Sequence, residues 1–244
     1  MARKFDCAPG VVGVSAEELP PLPDEIGTDP EAGRVDPRAW FAHPERPLEI
    51  EIGSGKGTFI LAQAERDPAT NYLGIEWAGE FYAYAADRVR RRREAAGGPT
   101  NVRLLHADAT EFLRWRVPAG IVRVVHLYFS DPWPKRKHWK KRVVQDRFLA
   151  DVWRVLERGG ELRLVTDHDG LWAWYEERFA RWTGPEAWGV LGESRQGGGG
   201  PFERAGFEPP EWVGEGELVG TNFERKFRAE GRQFRAACLR KVGG

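Results

Sequence analysis

Cysteine is nearly absent from this chain of 244 residues, with Cys7 and Cys238 the only two. Two cysteines form neither a disulfide scaffold nor a cysteine-based zinc site, and no metal centre is expected. No apolar run approaches the ~18 residues that a membrane-crossing helix needs. The opening Met1-Ala-Arg-Lys-Phe-Asp also lacks the apolar stretch of a secretion signal. These absences point to a cytoplasmic protein with no membrane partner. Methionine occurs once, and Arg outnumbers Lys by 29 to 8. That bias suits heat adaptation or a GC-rich genome, and composition does not separate the two. Net charge is absent as well: 37 basic and 37 acidic residues cancel. At face value the cancellation excludes a partner held mainly by charge, such as nucleic acid or anionic lipid.

The zero conceals an asymmetry. Residues 1–51 hold 11 acids against 5 bases, a net of −6, so the remainder carries +6. The same stretch contains Pro9, Pro20, Pro21, Pro23, Pro30 and Pro37 and no sustained apolar period. Residues 1–36 are therefore expected to be an acidic, proline-rich arm without regular structure, and 37–244 the folded domain. The acidic arm is a candidate to lie across the basic surface of that domain. From residue 47 short apolar runs alternate with longer amphipathic stretches. Strands are expected at 48–52, 72–76, 102–105, 121–129, 162–166 and 233–240, and helices at 58–65, 79–95, 144–157 and 170–182, with Arg158-Gly-Gly as a helix stop. Such alternation predicts an α/β fold, a parallel sheet covered by helices on both faces. Ligands of these sheets bind at the carboxyl ends of the strands, which is where chemistry should be sought.

The first strand end reads Glu51-Ile-Gly53-Ser-Gly55-Lys56-Gly57-Thr58. A phosphate-binding P-loop needs glycine at position 50, which is Ile, and Glu51 would repel the phosphates. A dinucleotide fingerprint is excluded too, because the third glycine comes one residue early. The acid-x-G-x-G-x-G form resembles the first motif of S-adenosyl-L-methionine (SAM) methyltransferases, with a plain structural turn as the alternative. The second end supplies Glu76, whose carboxylate suits a pair of ribose hydroxyls, in SAM and in NAD enzymes alike. The third supplies Asp108, similar to the adenine-side acid of SAM enzymes; the neighbouring His106 reads as a packed side chain. At the fourth, Asp131-Pro132-Trp133-Pro134 resembles the acid/Asn-Pro-Pro-aromatic motif of enzymes that methylate base nitrogens. Its prolines stiffen the loop. Six Lys/Arg follow in the eight positions Lys135 to Arg142. Basic residues interleaved with an aromatic suit an RNA backbone and an unstacked base, which makes Lys137, His138, Trp139, Lys140, Lys141 and Arg142 RNA-binding candidates. The arginine run Arg88–Arg93 reads as a solvated helix face, with a peripheral tRNA contact as the alternative. Trp172 and Trp174 read as packing residues.

Taken together, Glu51-Ile-Gly-Ser-Gly-Lys-Gly, Gly74-Ile-Glu76, Asp108-Ala109, Asp131-Pro-Trp-Pro-Lys135 with its basic tail, Thr166-Asp167 and Thr221-Asn222-Phe223-Glu224 resemble the bacterial tRNA (guanine-N7-)-methyltransferase family, TrmB. The resemblance covers about residues 45–240; the arm matches nothing, and Asn222-Phe223 departs from other members. It implies a Rossmann-like class I SAM-dependent methyltransferase fold, with a mostly parallel seven-stranded sheet. It further implies methyl transfer from SAM to N7 of a guanine in the tRNA variable loop. The cofactor would lie against Glu51, Gly53, Gly55, Glu76, Asp108 and Asp131. Asp131 would be the catalytic residue, and Lys135, Asp167, Thr221, Asn222, Phe223 and Glu224 would contact the target nucleotide. Asp167 and Glu224, together with Asp131, are also candidates to accept the adjacent N1–H and N2–H donors of guanine. Arg225, Lys226, Arg228 and Arg232 would extend the basic surface. Three other readings compete: a SAM enzyme acting on an exocyclic amino nitrogen, a non-catalytic RNA-binding domain, and an NAD oxidoreductase. Retention of acids at successive strand ends argues against the second, and the glycine spacing against the third. A monomer and a homodimer are both compatible with the sequence.

Overall fold

The computed structural model describes residues 5–95, 97–193 and 198–243. Contacts divide the chain into two units, Met1–Pro118 and Ala119–Gly244. The first unit contains strands β1 (Gly13–Ser15), β2 (Leu48–Ile52), β3 (Asn71–Glu76) and β4 (Val102–His106), and helices α1 (Thr58–Arg66), α2 (Gly79–Glu94) and α3 (Ala109–Trp115). Its strands run in the order β1-β4-β3-β2, and every pair is parallel. The register sets Glu51 opposite Gly74 and Glu76 opposite His106, so the acids end neighbouring strands. Gly74 is required there: a Cβ would lie 2.8 Å from the Leu104 side chain and 3.0 Å from those of Ile60 and Ser54.

The amino-terminal arm is built into this unit. Besides β1 it forms three 3-10 turns, Ala16–Glu18, Asp24–Gly27 and Pro30–Gly33, with a fourth, Pro37–Trp40, directly after it, and is otherwise irregular. Val12 is fully buried in a cluster with Ile60, Leu61, Tyr72, Tyr82, Val89 and Leu104. Irregular backbone offers carbonyls that no ladder satisfies, and here arginine forks satisfy them. Arg93 donates to the carbonyls of Val11 (2.6 Å), Pro99 (3.0 Å), Thr100 (2.9 Å) and Val102 (2.5 Å). Arg103 reaches Gly10 and Trp40, Arg34 reaches Arg114, and Arg116 reaches Pro20 and Gly33. Burial, with the charge of Arg103 nearby, pushes the Arg93 guanidinium down to about 10.

The rest of the arginine run is likewise committed. Arg88 donates to the Lys56 carbonyl and Thr58 hydroxyl, Arg90 pairs with Asp87 and Glu94, Arg91 with Asp87, and Arg92 with Glu65. Arg91 and Arg92 nevertheless stay exposed, so the run braces the unit and also forms part of a solvated helix face.

The second unit contains β5 (Val122–Tyr128), α4 (Asp146–Val155), β6 (Leu156–Thr166), α5 (Asp169–Trp182), β7 (Phe202–Ala205), α6 (Asn222–Ala229) and β8 (Arg235–Lys241). The strand order is β5-β6-β8-β7, with β5–β6 parallel and the other two pairs antiparallel. The two units thus hold eight strands among the described residues, one more than expected. Helix α4 stops at Val155 rather than at the Arg158-Gly-Gly sequence, which lies inside β6. Gly159 has φ +76°, and a Cβ on Gly160 would come within 2.9 Å of the Arg123 carbonyl; the glycines form the irregularity at which the β5–β6 register shifts. No helix among the described residues is long and apolar enough to cross a membrane.

Replacing Arg93 by Ala leaves four carbonyls without their donor and frees the arm. The expected cost is about 2–4 kcal/mol in a denaturant titration. Amide exchange should accelerate first at residues 11–15; unchanged protection there would show that the arm is held by other contacts.

Candidate functional site

In the first unit the glycine turn follows β2. Gly53, Gly55 and Gly57 have φ of +71°, +52° and +67°, values that L side chains resist. The Gly53 amide donates to the Ile75 carbonyl at 2.8 Å, and the Gly55 amide to Glu76 Oε2 at 2.8 Å. Glu76 Oε1 accepts from the Ala78 amide, also at 2.8 Å. Each oxygen keeps a second lone pair, which suits two vicinal hydroxyls.

Glu51 is only 6% exposed, and its Oε2 has no hydrogen-bond partner; the buried Ser54 hydroxyl beside the turn lacks one too. Desolvation holds the Glu51 carboxyl well above its ordinary value, and the charge of Glu76 acts in the same direction. A backbone N–H from Ile60 offsets part of this. Burying a carboxylate without a partner is costly. A cationic ammonium is the ligand that would remove the cost, which is why the residues fit the methionine end of SAM.

Asp108 has a structural task that its strand-end position did not announce. It caps α3, its Oδ1 accepting from the Thr110 amide (2.8 Å), the Thr110 hydroxyl (2.6 Å) and the Glu111 amide (3.3 Å). His106 is packed, stacked on Tyr82 at 5.1 Å. A cavity of about 500 Å³ in this unit is lined by His43, Arg46, Glu65, Arg92 and Asn101, residues distinct from those of the glycine turn.

In the second unit the Asp131 loop follows β5. Asp131 is exposed. It lies between Phe129 and Trp133, two non-glycine residues in the left-handed region with φ of +54° and +41°. Such conformations persist only where surrounding contacts over-determine them. The basic run after the loop forms a 3-10 helix, Arg136–Lys141. Lys135, Arg136, Lys137, Lys140 and Lys141 are exposed. Lys141 lies over the Trp133 ring at 4.7 Å, and His138 meets that ring edge-on at 5.6 Å.

Two of the RNA-binding candidates are placed otherwise. Arg142 is 4% exposed, its Nε donating to the Pro132 carbonyl at 2.9 Å and its Nη1 to Gly170 at 3.3 Å. Trp139 is half-buried, edge-on to Trp174 at 5.7 Å. A run of charges reports composition but not which member turns inward, so Arg142 is corrected from an RNA contact to internal packing, while Trp139 keeps part of its surface exposed.

The Thr221–Glu224 segment also differs from expectation. Thr221 caps α6, accepting from the Glu224 amide at 3.1 Å. Glu224 is 0% exposed and accepts from the amides of Leu218 (2.6 Å), Val219 (2.9 Å) and Gly220 (2.9 Å) and from Arg228 (2.8 Å). Its lone pairs are taken, so a guanine contact is corrected to a loop anchor; Thr-x-x-Glu is a capping signature and carried that signal.

Asp167 pairs with Arg232 at 2.6 Å. Arg225 pairs with Glu217 and Arg228 with Glu224, and both, like Lys226, stay exposed. Phe223 is 40% exposed and lies 4.7 Å from the Phe129 ring. The structure therefore brings Phe223 to the start of the Asp131 loop. Ser54 and Phe129 were missed as site residues, although each adjoins a motif. A shallow cavity of about 320 Å³ is lined by Leu218, Arg228, Arg232, Gln233 and Phe234. Among the described residues no cluster of His, Cys, Asp and Glu is arranged to hold a metal.

Comparison with solved structures defines the fold. The 16S rRNA methyltransferase KamB superposes with a TM-score of 0.53 at 14% identity, covering 93% of this chain and 97% of that one. The aminoglycoside resistance methyltransferase NpmB1 gives 0.52 at 19% identity, covering 91% and 95%. The fold is thus the Rossmann-like α/β fold that these two proteins share.

A family model described as "Putative methyltransferase" matches residues 45–185. A tRNA (guanine-N(7)-)-methyltransferase of Streptococcus thermophilus is 34% identical over 166 residues, 68% of this chain and 75% of that protein. One from Rhodopseudomonas palustris (strain BisA53) is 37% identical over 177 residues, covering 70% and 67%. One from Nitrobacter hamburgensis is 40% identical over 157 residues, and there the match spans 64% of this chain and 59% of the relative. The chain belongs to the tRNA (guanine-N7-)-methyltransferase family.

The raised Glu51 carboxyl gives a pH test. Stability from its protonated form is complete below the ordinary value of 4.5 and is lost as pH rises through the raised one. A cationic ligand favours the ionised form, so SAM affinity should increase with pH over that range and binding should release a proton. Glu51→Gln should weaken binding about 10- to 150-fold, the value of ~1.5–3 kcal/mol for a charge-assisted bond. Calorimetry in buffers of different ionisation enthalpy reads both effects; equal proton release from the Gln variant would remove Glu51 from the site.

Proposed function

We propose that this protein transfers the methyl group of SAM to N7 of a guanine in the variable loop of tRNA. The observation that carries the reading is the Asp131-Pro-Trp-Pro loop. An exposed carboxylate sits between two non-glycine residues in the left-handed region, and five exposed cations, Lys135, Arg136, Lys137, Lys140 and Lys141, follow it. Guanine N7 carries a lone pair and no proton, so no general base is needed, and catalysis rests on placing that lone pair in line with the methyl carbon. When bound, SAM supplies a methyl group activated by its sulfonium. Glu51 would meet the ammonium of its methionine part and Glu76 the ribose, with Gly53 and Gly55 allowing close approach and Asp108 on the adenine side.

Asp131 has two tasks in this reading: it orients the purine, and it offsets the positive charge that the purine gains when N7 becomes bonded to carbon. Lys135 and Asp167 would contact the target nucleotide, with Thr221, Asn222 and Phe223 bordering it and Glu224 holding that border in shape. A tRNA substrate would place the reaction in the cytoplasm.

Asp131→Ala should reduce N7-methylguanosine formation at least ~100-fold, the scale of losing one preorganised electrostatic group. SAM binding should persist. Wild-type turnover by this variant, measured by mass spectrometry of tRNA nucleosides, would remove Asp131 from catalysis. If the five exposed cations meet phosphates, log K for tRNA should fall against log salt with a slope of about −3.5. A salt-insensitive affinity would remove the basic helix from the interface.

A further inference from the structure

Resting on the proposed role of Asp131, we propose that Arg142 and Tyr175 are positioning residues that clamp the catalytic loop on both sides of that aspartate. The residues on either side of Asp131 are linked to α5, Ser130 through its side chain and Pro132 through Arg142, which contacts Gly170 and Trp174 of that helix. On the amino side, the Ser130 hydroxyl is 2.8 Å from the Tyr175 hydroxyl, and Tyr175 is buried on α5. On the carboxyl side, the Pro132 carbonyl accepts from Arg142 Nε at 2.9 Å.

Arg142 is itself held by three contacts: its Nη1 on the Gly170 carbonyl and its guanidinium over the rings of Trp139 (4.9 Å) and Trp174 (5.1 Å). Trp174 precedes Tyr175 on α5, and its indole N–H donates to the Val144 carbonyl at 2.7 Å. Gln145 closes the arrangement by donating to the carbonyls of Trp139 and Arg142.

The clamp accounts for what the loop alone does not. Phe129 and Trp133 sit in the left-handed region without being glycine, at a cost that only external anchoring sustains. Proline at 132 and 134 removes two amide donors, so the loop cannot brace itself through its own ladder. A planar guanidinium lies over two indole rings while directing N–H groups to two carbonyls; a lysine ammonium keeps the charge but offers neither the plane nor the fork. The last cation of the basic run is therefore spent on geometry, and the exposed members before it are left for phosphate.

The test uses Arg142→Lys and Tyr175→Phe, which preserve charge and ring volume respectively. Hydrogen–deuterium exchange should quicken at least tenfold in a peptide spanning residues 129–135 in Arg142→Lys, with protection elsewhere at wild-type level. With tRNA and SAM saturating, kcat should fall at least twentyfold in Arg142→Lys and three- to tenfold in Tyr175→Phe. The KM for tRNA and the salt slope should stay within twofold of wild type.

Wild-type exchange across 129–135 in Arg142→Lys, or full kcat in that variant, overturns the clamp. So does a change confined to tRNA affinity and salt slope, which would make Arg142 a phosphate contact. If Arg142→Lys does not fold, Tyr175→Phe decides by the same two measurements. A wild-type protein that forms no N7-methylguanosine refutes the function instead, and the exchange experiment still judges the clamp.

Discussion

Irregular backbone must find hydrogen-bond donors for its carbonyls, and in this protein arginine supplies them. Arg93 and Arg103 hold the amino-terminal arm on the first unit, Arg34 and Arg116 fasten its later turns, and Arg142 holds the Asp131 loop in the second. Each uses a rigid fork to reach backbone carbonyls, several of them, such as those of Gly10, Val11, Pro20 and Pro132, outside any strand or helix. The excess of arginine over lysine thus has a structural use, whatever its genomic or thermal origin. The same preference separates two kinds of cation. Four of the eight lysines, Lys135, Lys137, Lys140 and Lys141, occupy the basic helix after the Asp131 loop and are exposed, whereas the arginine that ends the run is buried.

Carboxylates divide in a comparable way. Glu224 is saturated by three amides and a guanidinium, and Asp108 is engaged as a helix cap. Glu51 is buried with an oxygen left over, and Asp131 is exposed on a strained loop. A carboxylate with its partners supplied stabilises the fold; one without them is ready for a ligand. That contrast ranks Glu51 and Asp131 above Glu224 as groups for chemistry, although all three belong to motifs of equal prominence in the sequence.

The strand ends were legible because their signals are local. Glycines that must take positive φ, an acid two residues before Gly53, and a proline-stiffened Asp131 can all be read without knowing the fold. What was not legible depends on partners distant in sequence. Strand β1 is three residues long and exists only through its pairing with β4, about 90 residues on. Gly159 and Gly160 look like a helix stop until the neighbouring strand shows that they form an irregularity within β6. Arg142 is one basic residue among six by sequence, and only the indoles of Trp139 and Trp174 reveal that it turns inward. The neutral net charge misled for a related reason: it sums an acidic arm, itself tied down by arginines, with a basic remainder that includes the exposed lysines.

The central claim concerns which atom receives the methyl group. The direct measurement is to incubate the purified protein with SAM and unmodified tRNA, digest the product, and locate the modified nucleoside by mass spectrometry and strand cleavage. The account predicts N7-methylguanosine at a variable-loop guanine. Methylation of an exocyclic amino nitrogen, or no transfer by a protein that binds both SAM and tRNA, would contradict it.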